Sequence, residues 1–196
     1  MIFRGKIHKN KDQLKKDKIL GLVNSKNYME AIDLLTESMA LDNSLSSKAE
    51  EALQMIAGFA LKETAVAPST SEDYEKFKYN GSCIVKICSV IHLPPPIEAL
   101  GWYIKGAGLG GLGDYDEAIR CFDKTIEIES NDATACEAWK DKVTVLFHLK
   151  KYKEALKCTE EAWRALDNAE VDVEKLKQGI MKIKKQCEEK LSSSKS

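Results

Sequence analysis

An all-α solenoid of roughly nine helices is the fold class this sequence predicts, because it repeats itself at helical periodicity. Three observations carry that expectation. The chain superposes on itself at fixed offsets, with two of its three tryptophans in register. Its apolar residues recur at spacings of three and four, and few runs alternate as a strand would. Its 196 residues are 43% hydrophobic and 31% charged with only 4 Pro, a globular composition that leaves long stretches free of helix breakers.

The repeat justifies most of the elements. A shift of 37 places Trp102 on Trp139, Leu109 on Leu146, Leu112 on Leu149, Tyr115 on Tyr152, Ala118 on Ala155 and Cys121 on Cys158. A shift of 87 adds an eroded first copy, with Leu22 on Leu109, Tyr28 on Tyr115, Ala31 on Ala118 and Ile32 on Ile119. In the last copy Trp139, Val143, Leu146 and Leu149 form one apolar stripe. Lys150-Lys151-Tyr152 is a short polar joint, and Ala155, Cys158, Ala162 and Leu166 form a second stripe. A joint this short folds the second helix back on the first, an antiparallel pair whose small alanine permits close approach. The copies are read as residues 12–43, 99–132 and 133–168.

Between the first two copies, residues 44–98 read as one enlarged, unconventional helix pair. Leu45 to Val66 carries Ala49, Leu53, Ile56, Ala57 and Ala60 on one face, and a second helix starts at Glu72 and breaks or restarts at the turn signal Asn80-Gly81. Residues 83–91 are β-branched enough for a strand, but Ile84, Ile87, Cys88 and Ile91 keep helical spacing and a helix is the expectation. Pro94-Pro95-Pro96 reads as a stiff connector. Residues 169–191 form a capping helix through Val173, Leu176, Ile180, Ile183 and Cys187, with a dimerising coiled coil, hence a homo-oligomer, as the alternative. Residues 192–196 are a tail.

The stretch from Ala99 to Asp132, with Trp102, Gly106, Gly113-Asp114-Tyr115-Asp116-Glu117-Ala118-Ile119, Phe122 and Ile126-Glu127-Ile128-Glu129, resembles a tetratricopeptide repeat. The other two copies resemble it also, the first through Asn27-Tyr28-Met29-Glu30-Ala31-Ile32, so the likeness covers about half the chain. It departs at Lys105, Thr125 and Ser130, where the family has leucine, alanine and proline. The offset of 37, against about 34 in the family, suggests a lengthened helix around Trp139.

The resemblance implies a right-handed α–α superhelix without enzymatic activity, binding a peptide or helix of another protein on the concave surface formed by the first helix of each pair. Carried over position by position, that surface is Lys16 and Leu20 (with Val23) in the first copy, Tyr103, Ala107 and Gly110 in the second, and Lys140, Thr144 and Phe147 in the third. Lys16 and Lys140 stand where the family's clamp for an acidic C-terminus has lysine. The clamp's asparagines are replaced by Leu20 and Asp17, and by Thr144 and Asp141, so that ligand is not expected.

Other chemistry is weaker. Gly106-Ala107-Gly108-Leu109-Gly110-Gly111 satisfies G-x-G-x-x-G, and Glu127 follows, so a nucleotide-binding enzyme is one alternative. The counterpart stretch Cys136 to Leu149 is a plain amphipathic helix, which argues for a helix here too. Glycines in a helix cost roughly 1 kcal/mol each. If they are merely tolerated, Gly108→Ala raises the melting temperature; otherwise they admit a partner's backbone. The six cysteines form no C-x-x-C pair and read as small buried residues of a cytoplasmic protein. No metal or other cofactor is expected, and no apolar run suggests an export signal or a membrane partner. Thirty basic residues against 31 acidic ones give a net charge of -1, so nucleic acid would need a local patch. Arg4, Lys6, Lys9, Lys11, Lys15, Lys16 and Lys18 could form one, and RNA binding there is the other alternative. Asn80-Gly81-Ser82 matches a glycosylation sequon but reads as a turn.

Overall fold

The computed structural model describes residues 14–41, 46–130, 132–169 and 172–193, and its regular structure there is entirely helical. The helices are α1 (residues 14–24), α2 (Tyr28–Leu41), α3 (Ser46–Glu63), α4 (Ser71–Val90), α5 (Pro95–Leu112), α6 (Tyr115–Ile128), α7 (Ala133–His148), α8 (Tyr152–Asp167) and α9 (Glu174–Ser193). From α2 onward each packs on the next in the chain, with further contacts from α5 to α7 and from α7 to α9. This is a helical array, as the periodicity predicts.

The joints between paired helices show the repetition at atomic detail. Lys26, Gly113 and Lys150 occupy equivalent positions at the offsets of 87 and 37, and all three have positive φ, at 61°, 90° and 60°. In each joint the next residue's N–H reaches back to an equivalent leucine carbonyl: Asn27 to Leu22, Asp114 to Leu109 and Lys151 to Leu146, at 2.8, 2.9 and 3.0 Å. The left-handed residue itself bonds three residues back, completing a Schellman end to the first helix. Ala31, Ala118 and Ala155, which follow the joints, are fully buried, as is the small-residue contact they provide between paired helices.

Helix starts follow local chemistry. Thr70 and Asp73 form a reciprocal capping box at α4, and Asp132 accepts from the Ala135 N–H at 2.8 Å to cap α7. Pro95 and Pro96 are the first residues of α5, where a missing N–H costs nothing. The stiff connector expected at Pro94–Pro96 is therefore corrected: the link is Ile91–Pro94, and two prolines belong to the helix.

Two more expectations on the middle segment are settled. Residues 83–90 are helical, as the spacing of their isoleucines predicts. The break expected at Asn80-Gly81 is absent, because α4 runs unbroken from Ser71 to Val90. Asn80 is 1% exposed, with its amide directed at the Glu63 carboxylate 3.4 Å away, so the sequon is neither a turn nor accessible. Tertiary contact overrides the turn signal here. An added Cβ at Gly81 would overlap the backbone nitrogen of Lys105 and stand 2.8 Å from the Gly101 carbonyl oxygen. The three residues by which the offset of 37 exceeds 34, residues 133–135, form the first turn of α7, the helix that carries Trp139.

The core runs through the array as three clusters. The first is built on Ile32, Leu53, Ile84 and Ile87, the second on Leu109 and Phe122, the third on Val143, Leu166 and Ile180. Val173, Ile180 and Cys187 are buried, so the apolar stripe of α9 is spent on α7 and α8 as a cap. Leu176 and Ile183, the other two residues of that stripe, are partly buried and pack against the same cluster.

Candidate interaction surface

The expected groove residues fall into two places. Lys16 and Leu20 of α1 line an apolar groove between α1 and α3, with a volume of about 360 Å³. Leu20 is 60% exposed there, and α3 contributes Met55 at 61% and Phe59 at 41%. Ile19, Val23, Ala49, Ala52 and Ile56 join the apolar lining, with Leu35 contributed by α2, while Lys15, Lys16 and Lys48 stand at its edge. No acidic side chain lines it among the described residues.

Met55 and Phe59 are the residues that sequence reasoning missed. The signal was present: Ala52, Met55 and Phe59 recur at spacings of three and four on a helix whose other face already carries Leu53, Ile56 and Ala60. A helix with two apolar stripes has one stripe more than its core needs.

The α5 and α7 residues are engaged differently. Tyr103 donates its hydroxyl to Asp141 Oδ2 at 3.2 Å, and its ring lies 6.2 Å from that of Phe122. Burial, with Asp141 and Glu137 nearby, pushes the Tyr103 phenol far above its ordinary range. Lys140 pairs with Glu137 at 2.5 Å and with Asp141 at 3.2 Å. Burial would lower its pKa, but these two carboxylates reverse the effect and raise it. The charge of Lys140 is therefore already met by carboxylates of its own helix. Thr144 donates to the Lys140 carbonyl at 2.9 Å, and Phe147 packs against Tyr152 with ring centroids 5.6 Å apart. Gly110 lies in ordinary contact with Val145, 3.5 Å from an added Cβ, and Ala107 packs against the first core cluster. The structure thus joins Tyr103 to the Lys140 neighbourhood through Asp141, and Tyr103, Ala107, Gly110, Lys140, Thr144 and Phe147 all remain partly exposed.

Gly106 to Gly111 lie inside α5, not at a strand-to-helix turn. Backbone N–H groups in a helix interior are already bonded and cannot cradle a pyrophosphate. The reason for Gly108 and Gly111 is α4, while Gly106 faces Phe122 of α6. A Cβ on Gly108 would overlap the Lys78 backbone nitrogen and stand 2.7 Å from the Tyr74 carbonyl oxygen, and one on Gly111 would overlap the Tyr74 ring. The close backbone partner is the chain's own helix, and simple tolerance of glycine is overturned for Gly108.

Lys105 lies 5.2 Å from the centre of the Trp102 ring, and Lys142 sits over Trp139 in the same way at 5.1 Å. The two copies share a cation–π pair that covers the indole with an aliphatic stem. All six cysteines are unpaired and five are buried; burial pushes the Cys83, Cys88 and Cys121 thiols up to about 11. Of the basic opening stretch, Arg4, Lys6, Lys9 and Lys11 lie outside the described residues, and Lys18 pairs with Glu30 at 3.1 Å. Among the described residues, no group of His, Cys, Asp and Glu could hold a metal ion, and no helix is long and apolar enough to cross a membrane.

What this geometry offers chemically is a binding surface, apolar in its floor and basic at its edge. Comparison of the chain with protein-family models, curated proteins and solved structures gives no match in any of the three.

Proposed function

We propose that this chain is a non-enzymatic, tetratricopeptide-like interaction module of the cytoplasm that captures a segment of a partner protein, with the α1–α3 groove as its docking site. The observation that carries the reading is the exposure of Leu20, Met55 and Phe59 in one concavity. Apolar surface costs roughly 25 cal/mol per Å² to keep in water, so a partner that covers these side chains gains that free energy on docking. The use of cysteines as small buried residues supports the location.

The test is affinity purification with the full chain and its Met55→Glu and Leu20→Glu variants. Both positions are exposed, so helicity by circular dichroism should be unchanged while the bound proteins are lost. An unchanged set of bound proteins with intact helicity would overturn the docking site. Tyr103→Ala is a poor probe of the same question, because it also breaks the bond to Asp141.

A further inference from the structure

We infer that the occupant of the α1–α3 groove is an acidic amphipathic helix: an apolar stripe seated on Leu20, Met55 and Phe59, with carboxylates on its flanks facing Lys15, Lys16 and Lys48. This rests on the docking site proposed above and adds what must fill it.

The helical form follows from the walls. Both sides of the groove are helices, whose interior backbone groups are already paired and which offer no strand edge. An extended peptide laid on an apolar floor would lose water from its N–H and C=O groups and find no partners for them, at a cost of about 1–3 kcal/mol for each buried group. A helix brings its backbone bonds with it and presents side chains at i, i+3, i+4 and i+7. Met55, exposed in the lining, is unbranched and adapts to the knobs of a helix.

The acidic flank follows from charge. Neighbouring lysines are neutralised within the chain: Lys18 by Glu30, Lys26 by Glu63 and Lys86 by Asp33. Lys15, Lys16 and Lys48 make no ion pair among the described residues and stand together at the groove. The same charges disfavour two other occupants. Residues 1–11 of this chain carry Arg4, Lys6, Lys9 and Lys11 and no acid, so they would bring positive charge to a positive rim. A second copy docked face to face would bring a groove with the same three lysines and no acidic lining residue, so it offers these lysines no carboxylate from that groove.

The experiment uses the full chain and two synthetic peptides, about 16 residues or four turns long. Both carry leucines at helical spacing, one with glutamates on its flanks and one with lysines. Fluorescence anisotropy should show the glutamate peptide binding at least about tenfold more tightly, with the preference shrinking as salt is raised. Met55→Glu should weaken it by more than about tenfold, and the triple change of Lys15, Lys16 and Lys48 to Gln should abolish the preference between the peptides.

Equal or tighter binding of the lysine peptide overturns the acidic flank. Equal binding of a glutamate peptide held extended by prolines overturns the helix. Two other results overturn the inferred occupant: sedimentation with phosphatidylserine vesicles that Met55→Glu abolishes, or a dimer in light scattering that the same change dissolves. A photo-crosslinking residue at position 55 separates the two levels. If it captures a cellular protein while neither peptide binds, the inferred occupant falls and the docking site stands; if nothing is captured and neither peptide binds, both fall.

Discussion

Gly108 shows how one residue's meaning depends on what faces it. On helix propensity alone, replacing a helical glycine by alanine stabilises by roughly 1 kcal/mol. At Gly108 the new methyl group meets the α4 backbone, which cannot rotate aside as a side chain can. Overpacking of this kind costs about 1–3 kcal/mol, so Gly108→Ala should lower the thermal midpoint. Gly58, on the exposed side of α3, has nothing within 4 Å of an added Cβ. Gly58→Ala should therefore raise the midpoint by about 2–4 °C. Thermal unfolding followed by circular dichroism checks both, and opposite signs are the expected result. The glycines of α5 were visible in the sequence, but their cause was not. Helical spacing shows which residues share a face, and it is silent on which distant helix will press against that face.

At the scale of elements, the three joints carry one backbone conformation on two kinds of residue. Gly113 adopts positive φ freely, whereas Lys26 and Lys150 hold it against their own Cβ. Gly113→Ala should destabilise by about 1 kcal/mol, and Lys150→Gly, whose side chain makes no ion pair among the described residues, should be neutral or stabilising. Denaturant midpoints at unchanged slope would check this pair. A stabilising Gly113→Ala would mean that the left-handed joint is not what sets the turn. The joints were legible in advance because Leu22, Leu109 and Leu146 precede them, and Tyr28, Tyr115 and Tyr152 follow them, at fixed offsets. The continuity of α4 was not legible. Asn80-Gly81 is a turn signal in isolation, and only the approach of Lys105 and Gly101 makes glycine a packing residue there. The groove was half legible: Lys16 and Leu20 came from the repeat, while Met55 and Phe59 lie on a helix outside it.

For the whole molecule, one carboxylate gathers several of the polar ties between the first copy and the enlarged pair. Glu63, at the end of α3, receives Lys26 at 2.7 Å, the Tyr28 hydroxyl at 3.2 Å and the Asn80 amide at 3.4 Å, so it ties the first joint, α2 and α4 together. Burial alone would raise its pKa, but the bonds from Lys26, Asn80 and Tyr28 outweigh it and hold the carboxyl below the ordinary 4.5. A depressed carboxyl contributes stability that is present above its unfolded pKa and is lost as pH falls through the folded one. Midpoints measured from about pH 6 to about pH 3 should fall less steeply in Glu63→Gln than in the parent chain. Parallel profiles would remove Glu63 from the acid response.

The glycine seam has a bearing on how such a chain folds. Its most extensive helix contact joins α4, the last helix of the enlarged pair, to α5, the first helix of the next copy. Amide hydrogens protected by that seam should exchange with solvent last, because their release requires both helices to separate. The cooperative unit of folding then straddles the boundary between the enlarged pair and the repeat copy that follows it. A fragment cut at that boundary would divide the best-packed interface in the chain, however well its ends matched the repeat.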